Sequence, residues 1–148
     1  MKRVVAATIC IVFLLSGLIR MGAGGLMLGQ AAGYWDIDGE ATEALSETKR
    51  FISERNANIV GFTPITYFGF IAFMGVVISM GAIGQLRRRR WGLVLIVMYI
   101  LCHSFLFVNF MTVNPKLFFL VLASVMTGVL WWANRGDGSG AAESRDAT

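Results

Sequence analysis

Two ionisable side chains, Arg20 and His103, stand inside long apolar stretches of the 148-residue chain. Charge is costly in such surroundings, so these two residues are the first place to look for chemistry. Arg20 lies 16 residues past Val4, about 24 Å along an ideal helix. In a hydrocarbon core of about 30 Å that depth is close to the far headgroups, which a long guanidinium reaches by snorkelling. A cation there can hold an anionic lipid, a quinone carbonyl or a carboxylate substrate, or it can simply anchor the helix. No acidic residue lies in any apolar stretch to pair with it. His103 sits deeper, about 18 Å from Trp91 along its own helix. Tyr99, Cys102 and His103 share one helix side at i, i+3 and i+4, and Ser104 and Asn109 add polarity. Arg20 and His103 differ in depth by only about 6 Å. The expected ligand-binding residues are therefore Arg20, Tyr99, His103 and Asn109, around a polar pocket between the first and third spans. A single structural hydrogen bond from His103 is the competing reading.

Other chemistries fit the residues less well. Haem ligation wants two axial side chains, and the chain offers one His with a Met as second. Zinc or two-metal catalysis lacks enough His, Cys or carboxylate ligands within the apolar stretches. Cys102 and His103 are adjacent, so on a helix they point about 100° apart, with no acid near to orient the base. A pore would have to be built from Thr66, Tyr67, Ser79, Ser124 and Thr127. Proton-coupled export wants an intramembrane carboxylate, which is missing. The expectation is no catalytic residue, no metal and no cofactor, with a bound lipid or quinone as the ligand that the residues allow.

The elements that must position these residues are long. Apolar stretches run over about 4–30, 60–85, 91–112 and 115–133, and a helix needs about 20 apolar residues to cross a bilayer. Apolar residues make up 56% of the chain and charged ones 15%, against about 25% charge in soluble domains. The mean hydropathy is +0.66. The expected fold is all-α and membrane-integral, four transmembrane helices in an up-down antiparallel bundle over residues 1–133. An external loop spans 31–59, and residues 134–148 form a disordered cytoplasmic tail. Within the loop, Ala41, Ala44, Leu45, Thr48, Phe51, Ile52 and Arg55 recur at helical steps, which predicts a short amphipathic helix over about 40–56. The run from Asp36 to Glu40 resembles the opening of a calcium loop but lacks the later ligands, so it reads as a solvated acidic turn.

Thr63-Pro64 and Asn114-Pro115 are cap-plus-proline pairs that open helices. The first stretch, about 27 residues, exceeds the core thickness and must tilt, kink or emerge. Gly22, Gly25 and Gly29 in it, and Gly75 and Ser79 in the second, are the expected helix-packing positions, Gly25 and Gly29 at GxxxG spacing. Cys10 and Cys102 read as small buried hydrophobes.

Sidedness follows from charge. Both termini and the 86–90 connection share Lys2, Arg3, Arg87, Arg88, Arg89, Arg90, Arg135 and Arg145. The other side holds only Lys49, Arg50, Arg55 and Lys116. The positive-inside rule puts both termini in the cytoplasm, and the clustering of the arginines between two spans argues against nucleic acid as a partner. The excess of Arg over Lys suggests a bacterial inner membrane. A cleavable signal peptide cut near Ala31-Ala32 is the alternative for the first stretch. The leading functional expectation is a non-enzymatic multi-pass protein, an accessory or assembly subunit in a homo-oligomer or larger membrane complex surrounded by lipid. The alternatives are a small transporter or lipid/quinone-binding protein using Arg20 and His103, and a membrane redox protein or enzyme.

Overall fold

A computed structural model describes residues 1–54, 59–110 and 117–135, with side chains as far as 133. The described chain is all-α: α1 Lys2–Ala31, α2 Glu40–Glu54, α3 Pro64–Leu86, α4 Arg90–Phe110 and α5 Leu117–Arg135. Three of these, α1, α3 and α4, are long and apolar enough to cross a membrane. The fourth expected span, α5, is apolar over Leu117–Ala133 but shorter. Arg55, the turn at 112–114, the Asn114-Pro115 cap and the tail over 136–148 lie outside the described residues.

Local chemistry sets the helix ends. The second apolar stretch runs from about 60, and its helix begins at Pro64 as the Thr63-Pro64 pair predicts, with Thr63 closing a capping box. The Thr63 hydroxyl accepts from the Thr66 amide at 3.2 Å, and the Thr63 amide donates to Thr66 Oγ1 at 2.8 Å. Two orphan donors are thereby satisfied. α1 is unbroken for 30 residues, and its end folds back through the amides of Gly33 and Tyr34, which donate to the carbonyls of Gln30 and Gly29. Gly33 takes the left-handed conformation this closure needs, with φ 79°. α3 ends in the same closure, Arg88 donating to Gln85 and Arg89 to Gly84. There the left-handed position is held by Arg88, φ 54°.

Packing depends on missing side chains. α1 and α3 run antiparallel, since Gly24 abuts Ala72 while Gly17, further back on α1, abuts Gly75 and Ser79. A Cβ on Gly75 would lie 2.6 Å from the Met21 amide nitrogen and 2.8 Å from the Gly17 carbonyl oxygen. Both are backbone atoms that cannot move aside. α3 and α4 approach equally closely, and a Cβ on Gly92 would lie 2.5 Å from the Gln85 nitrogen. α5 closes the arrangement against α4 and α1, with Leu130 reaching a core of Phe13, Met74, Ile78 and Ile96.

Of the expected packing positions, Gly75 and Ser79 lie at this α1–α3 seam, whereas Gly22 and Gly25 face open space. The close approach falls on Gly17 and Gly24, so Gly25 and Gly29 do not form one helix-contact face within the chain. Gly29 serves a different purpose, making room for the Trp35 ring. Trp35 folds back to donate from its indole nitrogen to the Leu26 carbonyl at 3.0 Å.

α2 spans nearly the expected range. Glu40 and Glu43 complement the positive end of its dipole. Leu45 and Ile52, seven residues apart, are its buried positions, and it rests against α1 and α3. Ala44, expected on the same stripe, is exposed.

Candidate functional site

Arg20, Tyr99 and His103 come together in the interior. Tyr99 and His103 project from adjacent turns of α4 and are only 4% and 7% exposed. The Tyr99 hydroxyl and His103 Nδ1 are 3.1 Å apart in a hydrogen bond. The His103 ring stacks on Phe107 one turn further on, with centroids 5.4 Å apart and planes within 7°. One face of α4 thus carries Tyr99, His103 and Phe107 at four-residue steps. From α1, the Arg20 guanidinium carbon lies 5.5 Å from the centre of the Tyr99 ring. This is a cation–π distance.

The guanidinium meets the Tyr99 ring across the gap between the two helices. Both α1 and α4 start at the end of the molecule where Lys2 and Arg90 lie, and helical side chains lean toward their own N-terminus. Arg20, Tyr99 and His103 therefore all lean toward that end. Arg20 itself is half-buried, and its surroundings are aromatic, since no carboxylate lies on any of these helices.

Asn109 stands apart from this centre. It is fully buried, and its amide is consumed by the loop preceding α3: Oδ1 accepts from the Val60 amide at 2.8 Å while Nδ2 donates to the Val60 carbonyl at 3.1 Å. Both bonds go to the backbone of one residue. Asn109 thus ties a loop down and is not a lining residue. Phe110 beside it packs against Phe51 of α2, Phe62 of the loop and Tyr67 of α3, with centroids 5.2, 5.6 and 6.0 Å away. This aromatic cluster covers the end of the bundle next to the Arg20 centre.

Phe107 belongs to the centre and was not singled out from the sequence. Phe107 had a signal, since it continues the four-residue spacing of Tyr99 and His103. Cys10 is buried, Cys102 half-buried, and both are free thiols. Among the described residues no group of three or more His, Cys, Asp or Glu side chains is placed to hold a metal ion.

No protein-family model matches the chain, and no curated protein or solved structure shows significant similarity to it. Function must be argued from the geometry alone.

Proposed function

We propose that the chain is a four-span integral membrane protein that binds the polar head of a membrane-soluble ligand at Arg20, without catalysing a reaction on it. The membrane reading rests on the outer surface. Ile19, Val94, Leu101, Phe118 and Phe119 are each more than 60% exposed, on three helices, α1, α4 and α5, an apolar surface that water would not tolerate. In this reading α1, α3, α4 and α5 form an up-down antiparallel bundle, α2 caps its outer end, and both termini are cytoplasmic.

The observation that supports binding is the Arg20–Tyr99–His103 arrangement. A half-buried guanidinium held over an aromatic ring, with no counter-ion on its helices, keeps donors for an acceptor such as a quinone carbonyl or a carboxylate. His103 fixes the Tyr99 hydroxyl beside it. Mild-detergent purification followed by solvent extraction tests the reading. A stoichiometric quinone or carbonyl-headed lipid is expected from the unaltered protein and about tenfold less from Arg20→Ala, a charge-assisted hydrogen bond being worth about 1.5 kcal/mol. Equal ligand content in both proteins defeats the proposal.

An accessory subunit is the second reading, favoured by one observation. Gly22 and Gly25 present a small, flat face on α1 where no described residue comes within 4 Å of an added Cβ, and a partner helix could approach there closely. Co-purification of a larger complex lost on Gly22→Leu, with Arg20→Ala leaving it intact, would decide for this reading.

A further inference from the structure

At the opposite end of the molecule from the aromatic cap, a cleft of about 740 Å³ opens between the start of α1, the α3–α4 turn and the end of α5. Its rim carries Lys2, Arg3, Arg88, Arg89 and Arg90. Its floor is apolar, with Cys10, Leu93 and Leu130, and Trp131 stands at the edge. No carboxylate is among the described residues that line it. We propose that this cleft binds the phosphate head of an anionic phospholipid.

Basic residues flanking a membrane span act first as a topology signal, and that role needs only their position along the chain. It does not require that side chains from segments more than 80 residues apart in sequence gather round one concavity, as Lys2 and Arg3 do with Arg88–Arg90. Nor does it account for Arg88. This residue occupies the left-handed closing position of α3, where glycine is usual, and where α1 indeed has Gly33. A side chain in that conformation costs about 1 kcal/mol. A topology signal would be served as well by Gly at 88 with Arg at 87, 89 and 90. Arg88 lines the cleft, whereas its neighbour Arg87 does not.

The shape narrows the ligand. The volume is in the range of sites for small organic molecules, well beyond a bare phosphate. A charged rim above an apolar floor suits a phosphate ester whose glycerol and upper acyl carbons continue inward. Basic pockets between spans on the cytoplasmic side commonly take such heads. The inference rests on the membrane reading above but uses none of the residues around Arg20, which lies about 27 Å along α1 from Lys2.

The test uses the full chain in mild detergent and native mass spectrometry with phosphatidylglycerol or phosphatidylcholine of matched acyl chains. Retention of phosphatidylglycerol over phosphatidylcholine is expected. Arg88→Gly, which suits the turn better, should keep or raise the melting temperature without lipid yet weaken phosphatidylglycerol retention about fivefold, as should Arg89→Gln. Arg87→Gln removes the same charge outside the cleft and should retain the lipid. Equal retention of both lipids overturns the proposal. So does an Arg87→Gln loss as large as that of Arg88→Gly, which would mean diffuse attraction. Displacement of the lipid by millimolar inorganic phosphate that itself raises the melting temperature also overturns it, in favour of a soluble anion. Carbonate-resistant membrane association of the same variants is scored separately, so that failure of the cleft is distinguished from failure of the membrane reading.

Discussion

Single residues in this chain have roles that their type announces and their partners decide. Asn109 illustrates the gap. An amide near the end of an apolar helix reads as a ligand contact, yet its partner is the backbone of Val60, 49 residues earlier. Nothing in local spacing encodes that distance. Arg20 and His103 were recognisable because ionisable groups in apolar runs are rare and costly. Their linkage through Tyr99 was within reach of depth arithmetic, because helix rise is constant. For Asn109 the consequence is direct. Asn109→Ala should leave the Val60 amide without its acceptor and destabilise the outer end by about 1–3 kcal/mol. Hydrogen exchange at Val60 is the measurement, and the amide should exchange many-fold faster in the variant. Unchanged exchange would show that water or another group serves Val60 equally well.

At the scale of elements, the helix starts were legible and the helix faces were not. Thr63-Pro64 carries its own cap chemistry, and the capping box formed where those residues stand. Thr63→Ala should therefore lower stability by about 1 kcal/mol, read as a reduced melting temperature in detergent. Which glycines pack is a different matter. A helix apolar on every side has no polar stripe to mark its outward face, so Gly22 and Gly17 look alike in sequence. The structure separates them. Gly75→Ala would force a methyl into the α1 backbone, and overpacking of this kind typically costs about 1–3 kcal/mol. Gly22→Ala meets nothing among the described residues and gains helix propensity of about 1 kcal/mol. Melting temperatures should fall for the first and hold or rise for the second. The reverse order would mean that α1 meets α3 through another face.

The whole molecule turns on α5. Its apolar segment is Leu117–Ala133, about 26 Å at 1.5 Å per residue, against a core of about 30 Å. A bilayer accommodates a deficit of that size by local thinning or by snorkelling of flanking side chains, at modest cost. The four-span proposal draws its support from the charge distribution. With α5 across the membrane, Arg135 and Arg145 join Lys2, Arg3 and Arg87–Arg90 on one side. With α5 lying in the interface instead, those two arginines move to the side of the acidic loop and weaken the asymmetry. Packing points the same way, since Leu130 is fully buried in the shared core and Lys2 sits 4.6 Å over the Trp132 ring. The end of α5 is therefore level with the start of α1. Three reporter fusions separate the cases. A reporter at residue 46 should be external and one at 88 cytoplasmic, whether the chain crosses three times or four. The fusion after Thr148 discriminates: cytoplasmic activity means four crossings, and external activity means that α5 does not span and the bundle has three transmembrane helices.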